Sequence, residues 1–164
     1  MKVVVVVTLN GYNGYNRSLI SNIINTADCD VVLGWDEKSG HKAVGTKEFI
    51  SSYASLNEIY GDKIDDFNGR WKENPSKLGA IHWFSTSKYD YMWLFEDDVY
   101  VKNCRDFVQS YAKDKADIIC KQSSTIPGWA KGGWRVGDKT KIGKNKDFAY
   151  SHLYASRYSK KAAE

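Results

Sequence analysis

Stretches of consecutive apolar residues alternate along this chain with segments in which apolar residues recur at helical spacing. Val3–Leu9 is a continuous β-branched run, which is the pattern of a central parallel strand buried on both faces. A turn-rich loop follows, and the spacing of the next apolar residues predicts a first helix over residues 15–26. Residues 30–35 then predict a second strand.

Two further helices are predicted between residues 46 and 86. Thr46 would cap the first of them, and Gly61 is a suitable residue to end it. Asn74 followed by Pro75 is a strong start for the second, because a capping side chain precedes a proline at the first helical position. The apolar face of the first would consist of Phe49, Ile50, Tyr53, Ala54 and Leu56.

The remaining pattern completes a strand–helix alternation. Residues 91–95 predict another strand, and Asn103 with Asp106 resembles a capping box for the helix after it. A short strand is predicted at residues 117–120, and a last helix at residues 147–162 after a segment rich in loop signals. The alternation predicts a single α/β domain over residues 1–164, in which helices flank a mostly parallel central sheet.

Three consecutive acids, Glu96, Asp97 and Asp98, follow the apolar run at residues 91–95. Adjacent carboxylates repel one another, so placing them at the end of a buried strand requires a cation that holds them together. In an extended backbone, Glu96 and Asp98 point to the same side, from which both can bind one hard divalent ion through oxygen. The alternative is a solvated surface turn.

Polar residues also follow the first two predicted strands. Thr8 and Asn10 stand at the end of the first strand, and Asp36 at the end of the second. Because ligands bind beyond the carboxyl ends of the strands in parallel sheets, we expect these residues and the three acids to meet at one edge. Each of them could instead be an ordinary turn residue.

Composition and charge exclude several classes of protein. The net charge of +4 comes from scattered basic residues, without the concentrated basic surface of a nucleic-acid-binding protein. Cys29, Cys104 and Cys120 are odd in number and include no C-x-x-C pair, which argues against a disulfide framework and a thiolate zinc site. They predict free thiols in a reducing, cytoplasmic compartment. No apolar stretch is long enough to cross a bilayer.

The acidic segment resembles the DXD motif of metal-dependent, nucleotide-sugar glycosyltransferases, here in the form Glu96-Asp97-Asp98. The order of elements over residues 1–122 is similar to the nucleotide-binding half of their Rossmann-like GT-A fold. The resemblance implies that residues 1–122 bind a nucleotide sugar and that residues 123–164 form a short, minimal or truncated acceptor part. It implies transfer of a sugar, commonly a hexose from a UDP-sugar, to a hydroxyl of a glycan or other acceptor.

The resemblance also implies a cofactor, Mn²⁺ or Mg²⁺, and unequal roles for the acids. The last acid of the family's motif binds the metal directly, which implies that role for Asp98. The first lies near the ribose or a metal-bound water, which implies Glu96 as a second metal-site residue, and Asp97 would assist either. Many members add a histidine ligand from the C-terminal segment, for which His152 is the candidate.

The donor nucleoside and the acceptor are assigned in the same way. The end of the first strand contacts the nucleoside in the family, implicating Thr8, Leu9 and Asn10. The end of the second strand receives the base, implicating Asp36, and Lys77 would suit uracil or phosphate. For the catalytic base that takes the acceptor proton, Asp147 is preferred to Asp138, and Trp129 and Trp134 could stack on sugars.

Plainer interpretations and rival functions remain open at this point. Lys77 could be an exposed helical lysine, Asp147 a helix cap, and His152 a packed side chain. A sugar nucleotidyltransferase would share a similar sheet, but its basic loop after the first strand is represented here by Arg17 alone. A non-catalytic carbohydrate-binding domain would suit the 14% aromatic content but would not need three acids at a strand end.

Overall fold

The computed structural model describes residues 1–11, 13–37, 47–61, 75–122 and 151–164. Within these ranges the chain forms one sheet of six strands and five helices. None of these helices is both long and apolar enough to span a membrane. The strands are β1 (Val3–Leu9), β2 (Asp30–Asp36), β3 (Lys47–Ser51), β4 (Tyr91–Glu96), β5 (Ile118–Gln122) and β6 (Ser151–Ser159). The helices are α1 (Gly14–Thr26), α2 (Tyr53–Tyr60), α3 (Pro75–Thr86), α4 (Cys104–Ser110) and α5 (Lys160–Ala163).

The sheet is mostly parallel, as predicted, and has the strand order β3-β2-β1-β4-β6-β5. β1 pairs in parallel with β2 and with β4, and β2 pairs in parallel with β3. β6 lies between β4 and β5 and runs antiparallel to both. The carboxyl ends of β1, β2, β3 and β4 therefore share one edge of the sheet, which we call the carboxyl edge.

Helices cover both faces of the sheet, so that alternate residues of β1 are buried in two separate cores. Val5 and Val7 face a core completed by α1 and α4, whereas Val4 and Val6 face a second core completed by α3. This two-sided burial explains why β1 is a continuous apolar run instead of an alternating one. The first core includes Ile20, Ile23, Trp93, Phe95, Cys104 and Val108, and the second includes Ala80, Phe84, Met92 and Leu94.

The helix predicted from Thr46 to Gly61 is wrong in its first part. Lys47–Ser51 is the outermost strand on one side of the sheet. α2 begins only after Ser52, whose side chain caps the helix by accepting a hydrogen bond from Ser55 N at 2.9 Å. Pairing with β2 satisfies backbone groups of this segment, and that long-range gain outweighs the local helical spacing. Gly61 ends the helix as predicted, with a positive φ of 55°.

The helix predicted at residues 147–162 is also wrong over residues 151–159, which form β6; from residue 151 onward, the four residues of α5 are the helical ones. Serines and a buried arginine, Arg157, interrupt the apolar pattern expected of an inner strand, so spacing alone favoured a helix. The open edges of β4 and β5 supply the backbone hydrogen bonds that make this segment a strand.

Asp30, at the start of β2, is linked to β3 and to the segment before β4 at the opposite, amino-terminal edge of the sheet. Its carboxylate accepts a hydrogen bond from the Tyr89 hydroxyl and lies 2.9 Å from Lys47 Nζ. The hydrogen bond from Tyr89, followed by that from Lys47, lowers the pKa of Asp30 below its usual range. The carboxylate of Asp30 is therefore held in its charged form in the folded protein.

Asp30→Asn should lower the free energy of unfolding slightly at neutral pH and not at strongly acidic pH. A lowered folded pKa gives stability above the unfolded value of about 3.9, and this stability is lost as the pH falls through the folded pKa. The effect is small because the side chain is 40% exposed. Urea titrations at pH 7 and pH 3 measure it, with Glu58→Gln on α2 as control. A difference that persists unchanged at pH 3 would contradict this linkage.

Candidate functional site

The three acids lie at the carboxyl edge, where β4 gives way to a turn. Glu96 is the last residue of β4, and the backbone N–H of Val99 donates to the Glu96 carbonyl at 3.1 Å. Asp97 and Asp98 therefore belong to the turn and not to an extended strand. The extended backbone that we expected from Glu96 to Asp98 is therefore wrong, and each acid has different surroundings.

Glu96 is paired with Lys77, which stands in the first turn of α3. Lys77 Nζ donates to Glu96 Oε1, and both side chains are 21% exposed. The ion pair neutralises one of the three acids and ties the start of α3 to the end of β4. Two residues that we placed in the site for separate reasons are thus brought into contact by the fold.

Asp97 turns toward the loop between β1 and α1. Its Oδ2 accepts a hydrogen bond from Asn16 Nδ2 at 3.0 Å, and the backbone N–H of Asn10 also donates to it. Burial raises the pKa of Asp97 above its usual range, and the charge of Asp98 adds to this. The hydrogen bonds from Asn16 and Asn10 oppose the rise, since they favour the charged form.

Asp98 is the exposed member of the three. Among the described residues, no group of three or more His, Cys, Asp or Glu side chains is arranged to hold a metal ion. Mg²⁺ and similar ions are usually held by one or two protein carboxylates together with phosphates and water. The donor set, with Asp98 exposed and Asp97 beside it, therefore fits a metal ion that arrives with a diphosphate better than a bare ion.

The predicted nucleoside residues share this edge. Thr8 is aligned with Glu96 of β4 on one side and with Gly34 of β2 on the other. Its hydroxyl donates to the Phe95 carbonyl at 3.3 Å, and the residue is 3% exposed. The side chain of Leu9 is fully buried in the core, so only its backbone can reach a ligand.

Asn10 and Asp36 complete the edge on the side of β1 and β2. Asn10 is exposed directly after β1. Asp36 is the last residue of β2, is aligned with Ser51 of β3, and is 4% exposed. Topology thus brings the residues predicted from three separate segments to one edge.

Two glycines allow close approach near this edge. A Cβ on Gly34 would lie 2.4 Å from the Phe49 ring, and a Cβ on Gly79 would lie 1.7 Å from Ser51 Oγ. Any larger residue at Gly79 would push α3 away from β3. Because Lys77 lies two residues earlier on α3, this contact helps to set its position.

The acceptor side of the prediction falls mostly outside the described residues. Asp138, Asp147, Trp129 and Trp134 are all outside the residues that the structure describes. His152 is in β6 instead of the predicted helix. Since Ala155 is aligned with Phe95 and β6 runs antiparallel, the backbone of His152 lies beyond the end of β4, toward the carboxyl edge.

Sequence reasoning missed Asn16. Its signal was a polar residue on the apolar face of α1, in helical register with Ile20 and Ile23. A buried amide at such a position requires hydrogen-bond partners, and here one of the partners is an acid of the motif.

Comparison with known proteins supports the fold. No protein-family model matches the sequence, and no curated protein sequence matches it. Among solved structures, the galactosyltransferase LgtC in complex with donor and acceptor sugar analogues superimposes with a TM-score of 0.55 at 13% identity, over 99% of this chain. An active-site mutant of LgtC gives the same score and identity. The chain spans 59% and 58% of the length of these two structures.

Proposed function

We propose that this protein is a metal-dependent glycosyltransferase that uses a nucleotide-diphosphate sugar, with UDP-sugars as the first candidates. The observation that carries the proposal is the position of Glu96, Asp97 and Asp98, which we call the acidic turn. Three acids meet the ends of β1 and β2 at the carboxyl edge of a sheet whose fold resembles that of a galactosyltransferase. Ligands of such sheets bind at this edge.

The acidic turn would bind the donor diphosphate together with Mn²⁺ or Mg²⁺. When bound, the ion supplies positive charge that stabilises the nucleoside diphosphate as it leaves the sugar. Asp98 is the exposed carboxylate that would hold the ion, with Glu96 and His152 as further candidates. Asp97 would orient the turn from its hydrogen-bonded position.

Lys77 would act on the same diphosphate through its charge. Its ammonium group neutralises Glu96 in this structure, so that the site loses one unit of repulsion toward an anionic donor. A phosphate oxygen that enters the site would compete with Glu96 for the ammonium group of Lys77. This is a positioning role that follows from the contact, in addition to the predicted contact with uracil or phosphate.

The nucleoside would lie along the ends of β1 and β2. Asn10 is exposed there, Asp36 closes β2 beside it, and the backbone of Thr8 and Leu9 forms the floor. The acceptor hydroxyl would lose its proton to a carboxylate as it attacks the sugar, and Asp147 remains our candidate for that base.

Binding of nucleotide sugars is the direct test of this function. Ligands that bind the folded state stabilise it by mass action, by about 2.7 kcal/mol in free energy of unfolding at 100 times the Kd, and so raise the melting temperature. We expect UDP-glucose, UDP-galactose or UDP-N-acetylglucosamine to raise it in the presence of Mn²⁺, and EDTA to remove the shift. Release of UDP from the donor that binds then measures turnover.

The rival functions give different results in the same panel. A sugar nucleotidyltransferase would respond to a nucleoside triphosphate and release pyrophosphate with a sugar phosphate. A carbohydrate-binding domain would respond to free sugars without nucleotide or metal. Either pattern, or the absence of any response to a nucleotide sugar with Mn²⁺, would overturn the proposal.

A further inference from the structure

Asn16 is a buried amide near the start of α1. The residue is 4% exposed and shares the inward face of the helix with Ile20 and Ile23. Burying a carboxamide in an apolar setting is unfavourable unless its donors and its acceptor find partners. The choice of partners therefore says what this residue contributes.

Both polar atoms of the Asn16 side chain form hydrogen bonds. Oδ1 accepts from the backbone N–H of Asn13 at 2.8 Å, which completes a capping box for α1. Nδ2 donates to the Gly11 carbonyl at 2.9 Å and to Asp97 Oδ2 at 3.0 Å. One side chain thus joins the helix cap, the loop after β1 and the acidic turn, whose residue Asp97 lies 81 positions away in sequence.

The last two acids of the acidic turn differ in their exposure. Asp97 is held toward the β1–α1 loop by Asn16 and by the backbone of Asn10, while Asp98 is left facing solvent. The loop that would contact the nucleoside and the turn that would hold the metal are therefore connected through a single amide.

We propose that Asn16 is a positioning residue that fixes the acidic turn to the β1–α1 loop and so presents Asp98 to the metal diphosphate. The inference rests on the proposed function, because it assigns Asn16 a part in that same site. Asn16 acts through Asp97 and is not required to touch the donor itself.

A role in helix stability alone does not account for these contacts. α1 is capped by Asn13, whose side chain accepts from Tyr15 N at 2.9 Å and from Asn16 N at 3.2 Å. The helix is also anchored by Ile20, Ile23 and the hydrogen bond from Asn22 Nδ2 to the Val101 carbonyl. The bond to Asp97 is not part of this cap and reaches a different element, the turn after β4.

The test compares Asn16→Ala and Asn16→Ser with Asn22→Ala. Asn22 is a matched control, since it is an α1 asparagine that bonds to the chain beyond the acidic turn and to none of its acids. Isothermal titration with Mn²⁺ in the presence of UDP measures the affinity of the site, and thermal melting identifies any variant that does not fold. We expect the Asn16 variants to lose about 10- to 100-fold in Mn²⁺–UDP affinity, as is typical when the partner of a metal-site residue is removed. Asn22→Ala should stay within about two-fold, because its hydrogen bond ends at the Val101 carbonyl and not at an acid of the turn.

A double-mutant cycle separates positioning from stability. If Asn16 acts through Asp97, Asn16→Ala should cost little further affinity in an Asp97→Ala background. An equal loss in both backgrounds would overturn the inference, as would unchanged affinity in both Asn16 variants. In those cases the unsubstituted protein still binds Mn²⁺–UDP and the proposed function stands. Absence of Mn²⁺–UDP binding by the unsubstituted protein overturns the function and this inference together.

Discussion

Asp98→Ala should lower metal-dependent sugar transfer about 100- to 1,000-fold, the usual cost of removing one group that stabilises charge in a transition state. Asp98 is the exposed acid of the turn, whereas Glu96 is paired with Lys77 and Asp97 with Asn16. Removing it takes away the carboxylate best placed for a metal and disturbs no core contact. Turnover of the donor found in the binding panel, measured over a range of Mn²⁺ concentrations, gives the size of the effect.

The control for Asp98 is another exposed acid close to it in sequence. Asp106 lies in the first turn of α4, its side chain is 73% exposed, and its nearest cation is Arg105 at 3.9 Å. Asp106→Ala should leave transfer unchanged, and EDTA should reduce the unsubstituted protein to the level of Asp98→Ala. Retention of more than half of the activity in Asp98→Ala would remove this residue from the metal site.

Arg157→Ala should have the largest effect on stability, about 2–4 kcal/mol in the free energy of unfolding, because charge-assisted hydrogen bonds and the packing of a buried side chain are lost. Arg157 is 2% exposed in the middle of β6. Its guanidinium donates to the carbonyls of Tyr111, Asp114 and Ala116 at 2.9, 2.9 and 3.1 Å. It also lies over the Tyr91 ring, 4.5 Å from the ring centre.

These contacts connect β6 to the segment between α4 and β5. Urea unfolding of Arg157→Ala measures the loss, and Arg157→Lys should fall in between, because an ammonium group cannot reproduce the planar fork. Lys161→Ala is the control, since Lys161 is 85% exposed and should change stability by less than about 0.5 kcal/mol. A cost below that value for Arg157→Ala would mean that the carbonyls find other partners.

The elements that the sequence predicted well carry their signal locally. β1 is a run of buried β-branched residues, and α1 and α3 begin at recognisable caps or at a proline. β3 and β6 have no comparable signal. Each becomes a strand because a strand elsewhere in the chain offers an unpaired backbone edge, and residue spacing does not record that.

The features of the site also divide into those that the sequence predicted and those that it did not. The position of the acids followed from the pattern, because a buried parallel strand must end at the edge where ligands bind. The different surroundings of the three acids did not follow, since they depend on Lys77 from α3 and Asn16 from α1. A turn also replaced the extended backbone that we assumed for Asp97 and Asp98.

The sequence by itself determined the α/β class, the parallel core and the edge that carries the acids. Apolar runs predict buried strands, and the alternation of strands with helices predicts that these strands are parallel. Only the tertiary structure decided that Glu96 is neutralised, that Asp97 is held inward and that Asp98 is exposed. Hydrogen bonds and ion pairs between residues 19 and 81 positions apart depend on how helices dock on the sheet. That docking is a property of the packed core and not of any local segment.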